Sequence, residues 1–231
     1  RSVAVEGVAY RYQVFVPARD AREAVAPTIL FLHGTGERGS DGDKPTRVGL
    51  GPYLRAHADA FPAIAVFPQA PDGSDWKGVA AEIAFAALDA ATGEFGGDRD
   101  RSYLTGLSMG GYGTWELALM QPRRFAALVP VCGGLTAPRE DRDLAVTPLR
   151  DESDPPAALA QRLKHVPVWI FHGAKDDVVP PREDRLIDAA FRAAGGDVRY
   201  TEFPDANHNS WDPAYSQTPK LWTWLFSQRR R

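Results

Sequence analysis

Short apolar runs that end at glycine or proline, separated by longer segments of helical periodicity, constrain this chain more than any other feature. "TILFLHG" (Thr28 to Gly34), "AIAVFPQ" (Ala63 to Gln69) and "VPVWIFHG" (Val166 to Gly173) are apolar almost without alternation. That is the pattern of strands buried on both faces of a parallel sheet. "RSYLTGL" (Arg101 to Leu107), "AALVPVCGG" (Ala126 to Gly134) and "DVRYTEFP" (Asp197 to Pro204) repeat it, while "YRYQVFVP" (Tyr10 to Pro17) alternates as an antiparallel edge strand does. The spacing predicts helices over Val79 to Ala91, Met109 to Gln121, Pro156 to Lys164, Pro181 to Ala194 and Ser216 to Gln228. Strand, loop and helix in repetition predict an α/β fold with a mostly parallel, doubly wound sheet and flanking helices. No internal repeat or low-complexity linker interrupts the 231 residues, so positions 1–231 are expected to form a single domain.

In such sheets ligands bind outside the carboxyl ends of the strands. Chemically capable residues should therefore follow the apolar runs. Ser108 does so within Gly106-Leu107-Ser108-Met109-Gly110, between a predicted strand and a predicted helix. A G-x-S-x-G sequence in that setting is a nucleophile elbow, a turn so sharp that glycines must flank it. The hydroxyl then stands above the sheet, and the amide groups at the helix start point into the same space, where they stabilise developing negative charge.

A serine needs a base, and the base needs an orienting acid. Elbow sites place them later in the chain, acid before histidine. "AKDDVVP" offers Asp176 and Asp177 after one strand, and "DANHNSW" offers His208 after the next. The other histidines fit less well. His33 and His172 end strands before glycine and are expected to hydrogen-bond within strand-end turns, whereas His57 and His165 read as surface residues. The expected oxyanion donors are the N–H groups of Met109 and Thr35, the latter in the glycine-rich "HGTGERG". Trp76 and Trp211, beside these motifs, are candidate substrate-binding walls. Gln69 and Glu37 are candidate polar pocket residues. Tyr112 is a further candidate wall, and Trp115 on the same helix reads as core.

Composition excludes some alternatives. The formal net charge is −3 with no long run of one sign, so a nucleic-acid-binding surface is not expected. The basic end, Arg229 to Arg231, reads as solvated. No apolar run approaches the ~20 residues of a membrane-spanning helix. No histidine pair has metal-ligand spacing, so neither a catalytic metal nor another cofactor is expected. Cys132 is the only cysteine; it forbids an intramolecular disulfide and reads as a buried small hydrophobe. No signal peptide is read in the sequence, which begins at Arg1 rather than Met, so the compartment is left open, as is the oligomeric state.

"FLHGTGERG", "FPQAPDGSDW", "YLTGLSMGGYGTWELA", "FAALVPVCGG", "VPVWIFHGAKDDVVP" and "YTEFPDANHNSW" closely resemble the α/β-hydrolase superfamily, in order from Thr28 to Trp211. Within it they are similar to the serine esterase and "predicted peptidase" group related to feruloyl esterases and polyhydroxybutyrate depolymerases. The resemblance implies an α/β-hydrolase fold and cofactor-free hydrolysis of short-chain or aryl (hydroxycinnamoyl) esters through an acyl-enzyme on Ser108. Its acid lies in H-G-x-x-D-x-x-V-P, which selects Asp176 and turns Asp177 outward. One departure stands out. Where such proteins often have a short loop and one helix, this chain has the long, charged "LTAPREDRDLAVTPLRDESDP", so 135–155 is expected to form a partial cap or a flexible insertion. Two other functions are compatible with such motifs. One is a serine peptidase of prolyl-oligopeptidase type, which usually adds a gating domain that a chain of this length lacks. The other is a hydrolase fold kept for binding, which typically loses a triad member.

Overall fold

A computed structural model describes residues 1–18, 25–139 and 142–230. Arg231 of the basic end and positions 140 and 141 of the charged segment lie outside the described residues. One sheet of eight strands organises the chain: β1 (Ser2–Val5), β2 (Val8–Phe15), β3 (Ala26–Leu32), β4 (Ile64–Pro68), β5 (Gly97–Leu107), β6 (Ala127–Val131), β7 (Val168–Gly173) and β8 (Val198–Phe203), in the order β1-β2-β4-β3-β5-β6-β7-β8. From β4 to β8 every pairing is parallel, while β2 runs antiparallel to β4 and β1 antiparallel to β2.

Period-two alternation divides the strand side chains between two cores. Leu30 and Leu32 of β3, Ile64 and Val66 of β4, and Ile170 of β7 face one core. It is closed by helices α2 (Gly78–Glu94), α3 (Met109–Met120), α4 (Pro155–Leu163) and α5 (Arg182–Ala193). Ile29 and Phe31, Ala65 and Phe67, and Phe171 face the other. That core is closed by α1 (Leu50–Ala56), α6 (Trp211–Ser216) and α7 (Lys220–Ser227). Both faces of β3, β4, β6 and β7 are buried, which is why their sequences read as continuous apolar runs. Among the described residues no helix is long and apolar enough to cross a membrane.

Two expectations need correction, and α1 goes unmarked by the sequence pattern. The Tyr10 to Pro17 run is not an edge strand. A Glu6-Gly7 turn, with φ 48° and 79°, folds β1 back onto β2 and gives β1 the edge. Positive φ at both turn positions matches the right-handed twist of the hairpin. The helix expected over Ser216 to Gln228 begins later, as α7 at Lys220, and the short α6, which was not expected, ends at Ser216 before it. Pro219, which lacks an N–H, stands immediately before α7 and cannot continue a helix from the N-terminal side. The seven-residue α1 escapes the periodicity altogether, because Gly51 and Pro52 leave too few apolar positions to mark a face.

The elbow joins β5 to α3. Ser108 adopts φ 53° and ψ −119°, strained values for a residue with a side chain. Gly106 and Gly110 flank it because the backbones touch. A Cβ on Gly106 would overlap the Gly110 carbonyl, and one on Gly110 would overlap the Leu32 carbonyl of β3. Gly110→Ala is therefore expected to destabilise the fold by about 3 kcal/mol or more. Gly93→Ala in α2, where a Cβ meets nothing within 4 Å, should be neutral or stabilising by up to ~1 kcal/mol. Urea unfolding of the two variants checks both.

Candidate active site

Three loops beyond the carboxyl ends of β5, β7 and β8 bring together residues distant in sequence. His208 Nε2 lies 2.9 Å from Ser108 Oγ, and His208 Nδ1 lies 2.7 Å from Asp176 Oδ2. Oδ1 of Asp176 accepts the N–H groups of Val178 and Val179, each at 2.9 Å. Asp177 points to solvent. The carboxylate geometry holds the His208 proton on Nδ1, so that Nε2 faces the serine as an acceptor.

Oδ2 of Asp176 also meets a second ring, His172 Nε2, at 3.2 Å. The same Nε2 lies 2.8 Å from the Val179 carbonyl oxygen, and Nδ1 lies 2.6 Å from Asp184 Oδ2. His172, Asp176 and Asp184 side chains are all fully buried. The Val179 carbonyl and the ionised Asp176 are acceptors, and Asp184, whose carboxyl pKa burial raises against the pull of His172, accepts as the anion; a ring carrying both protons satisfies all three. Burial alone would lower the His172 pKa, but hydrogen bonds to Asp176 and Asp184 outweigh it and raise it to about 10. Burial likewise opposes ionisation of Asp176, yet donation from His172, His208 and the Val179 N–H holds its carboxyl below the usual range. The chain Asp184–His172–Asp176–His208–Ser108 is thus continuous, and the strand-end turn expected for His172 is a charged link within it.

The two residues expected to supply oxyanion donors lie in the loop after β3 and at the start of α3. Thr35 starts a 3₁₀ turn (Thr35–Glu37), and Met109 is the first residue of α3. Among the described residues neither N–H donates to another group. Trp76 and Gln69 do not line the cleft; they fasten this loop from behind. Trp76 is 1% exposed, and its Nε1 donates to the His33 carbonyl at 3.0 Å. Gln69 is 2% exposed; its Nε2 donates to the Glu37 carbonyl at 2.9 Å and its Oε1 accepts the Gly42 N–H at 2.6 Å. Both were misplaced because a loop motif beside a site reads the same whether it faces substrate or braces a neighbouring loop. His33 joins the brace: its Nε2 accepts the Ala70 N–H at 3.0 Å, which leaves Nδ1 to donate to the Gly34 carbonyl at 2.6 Å. Burial pushes its pKa down to about 4, so the ring is neutral.

Ser108 and His208 open into a cleft of about 230 Å³ walled by Val48, Leu107, Val178 and Trp211. The Trp211 ring stands edge-on to His208, 5.6 Å between centroids. Glu37 also lines this cleft. Tyr112 is buried, and its hydroxyl donates to the Thr136 carbonyl at 3.1 Å, so it ties α3 to the charged segment instead of facing the serine. Trp115 lies in the core. A larger groove of about 690 Å³ beside α5 touches neither Ser108 nor His208. Cys132 Sγ lies within 4.8 Å of the nearest Asp176 and His208 ligand atoms. Burial raises the thiol pKa, and a protonated thiol beside two residues already bonded to each other is a poor metal ligand.

Arg142 is the charged cleft residue that sequence reasoning did not single out. The segment after β6 is pinned at both ends. Glu183 accepts the N–H groups of Leu135 and Thr136 at 2.7 and 3.0 Å, and Glu116 accepts that of Thr147 at 2.6 Å. Leu135, Leu144, Val146 and Leu149 are buried. From this anchored base Arg142 reaches the cleft, and its Nη2 donates to Thr35 Oγ1 at 2.5 Å.

A parallel α/β sheet with a serine on a strained turn, and with histidine and aspartate within hydrogen-bond reach beyond later strands, is an α/β-hydrolase fold. The prolyl oligopeptidase family matches residues 73–228, and the chain belongs to that family. A thermostable esterase of known structure is 30% identical and superposes with a TM-score of 0.80 over 100% of this chain and 62% of its own. A ferulic acid esterase shares the fold at 19% identity, with a TM-score of 0.66 over 98% of this chain and 96% of its own. An uncharacterized secreted protein of Arthroderma benhamiae is 27% identical over 212 residues, 81% of this chain and 22% of that protein. The chain therefore spans about a fifth of that curated relative and under two thirds of the thermostable esterase.

His172→Gln leaves two buried carboxylates without their cation and should lower stability at pH 7 by about 3–5 kcal/mol. Because the folded pKa of His172 is raised, its contribution is complete below the unfolded value of ~6.5 and is lost as pH rises through about 10. The gap between wild-type and variant urea midpoints should accordingly narrow from pH 7 to pH 10.

Proposed function

We propose that the chain is a serine hydrolase of carboxylic esters, with Ser108, His208 and Asp176 as catalytic residues. The observation that carries this reading is the unbroken hydrogen-bonded path from Asp176 through His208 to Ser108 Oγ, on a turn that exposes the hydroxyl to a cleft. His208 Nε2 takes the serine proton as Oγ attacks the ester carbonyl. Asp176, already ionised, stabilises the imidazolium that forms. The Thr35 and Met109 N–H groups receive the oxyanion, each worth about 3 kcal/mol in sites of this kind. His208 then gives its proton to the departing alcohol, and water repeats the sequence on the acyl-enzyme. The small cleft and the Trp211 wall favour short acyl or aryl groups over long chains. In this reading the sheet and its helices form one hydrolase domain, and segment 135–155 is its partial cap.

Membership of the prolyl oligopeptidase family favours a second reading, cleavage of peptide bonds by the same residues. An amide leaving group makes the same demand on His208, so the distinction lies in which substrates enter. Steady-state rates on p-nitrophenyl esters from acetate to palmitate, on methyl ferulate and on acylated dipeptides separate the two. Ester turnover is expected to peak at short or aryl groups. Ser108→Ala should reduce it by at least ~10³-fold with an unchanged melting temperature. Peptide turnover without ester turnover would overturn the esterase reading in favour of the second.

A further inference from the structure

Arg142 is placed unusually for a surface arginine. Its guanidinium, with five N–H donors, bonds among the described residues only to the neutral Thr35 hydroxyl. Of the two acidic residues next to it in sequence, Asp143 is taken by Arg150 at 3.0 Å, and Asp141 lies outside the described residues. Arg142 is half-buried, and its segment is anchored by Leu135, Leu144 and Val146, so the charge is held over the cleft instead of sweeping through solvent. Four of the cleft walls, Val48, Leu107, Val178 and Trp211, offer a charged substrate nothing. The other charged residue, Glu37, has its carboxylate facing the backbone N–H groups of Gly34 and of Glu37 itself. Burial raises its pKa against the pull of those groups.

We propose that Arg142 reads a carboxylate on the substrate: the preferred ester carries an anionic group a few bonds from the scissile carbonyl. The inference rests on the ester-hydrolase reading above. The distance follows from Thr35, which holds the guanidinium through its side chain and offers its backbone N–H to the oxyanion. A planar fork over a small cleft can engage a carboxylate through two parallel hydrogen bonds, which a neutral ester cannot accept. The geometry suits a carboxylate on either the acyl or the alcohol half.

Two substrate pairs tell the halves apart. Monomethyl glutarate against methyl pentanoate tests the acyl half, and 4-acetoxybenzoate against p-tolyl acetate tests the alcohol half. Both pairs are followed by proton release at pH 7.5. The quantity read is the ratio of kcat/KM, anionic over neutral, within each protein, so a general loss of activity cancels. In one pair the wild-type ratio is expected to exceed that of Arg142→Gln by about 10- to 100-fold, the range for hydrogen bonds to charged groups. Arg142→Glu should lower it further, and 0.5 M salt should compress the wild-type advantage. Equal ratios in wild type and Arg142→Gln for both pairs would overturn the proposal and leave the esterase reading intact. So would an equal fall on charged and neutral esters, which would make Arg142 merely a clamp on Thr35. Absence of Ser108-dependent hydrolysis of every ester would overturn the underlying reading, and this proposal with it.

Discussion

Everything at the candidate site depends on a backbone contact that admits no side chain. Where β5 turns into α3, Gly106 and Gly110 press against each other and against the end of β3. This contact fixes three things at once: the positive φ that lifts Ser108, the start of α3 that presents the Met109 N–H, and the exit direction of β3 that launches the Thr35 loop. Glycine is required here by close approach alone, since neither Gly106 nor Gly110 has positive φ. The strained conformation falls on Ser108, and packing on both sides holds it there.

Electrostatics forms the second layer. A carboxylate sealed from water is costly unless its oxygens are fully engaged. Asp176 meets two backbone N–H groups on one oxygen and two imidazoles on the other. His172 in turn stands against Asp184, so Asp176 belongs to a buried ionic chain as well as to the histidine it orients. The two buried histidines show how environment assigns protonation. His33 sits between one donor and one acceptor and is neutral, whereas His172 sits among acceptors only and is charged.

Much of this was legible in the sequence because it follows from periodicity and strand-end position. The parallel strands are continuous apolar runs because both their faces are covered. The positions of Ser108, of an acid at Asp176 or Asp177, and of His208 follow from the rule that ligands gather at strand carboxyl ends, while the resemblance to the α/β-hydrolase motif selects Asp176 between the two acids. What escaped was side-chain direction within loops. Trp76 and Gln69 lie beside the cleft in sequence but turn inward, and nothing in "FPQAPDGSDW" distinguishes a wall from a brace. Arg142 was hidden for the opposite reason, as one charge among many in a segment whose apolar anchors, Leu135, Leu144, Val146 and Leu149, are spaced by no regular period. The β1–β2 hairpin did have a signal, a residue–glycine pair between short apolar alternations, but a four-residue strand is below the length at which alternation stands out.

His208 comes from the loop after β8, the terminal strand of the sheet, and lies 100 residues from Ser108, with which it shares a hydrogen bond. β8 is paired on one side only and is largely half-exposed, whereas β5 is held between β3 and β6. Edge elements with few buried contacts open at lower free energy than the centre of a sheet. The His208–Ser108 contact is therefore more fragile than the fold that carries it. A brief detachment of the β8 margin separates histidine from serine while the central strands stay paired, so on warming the site comes apart before the molecule loses its shape.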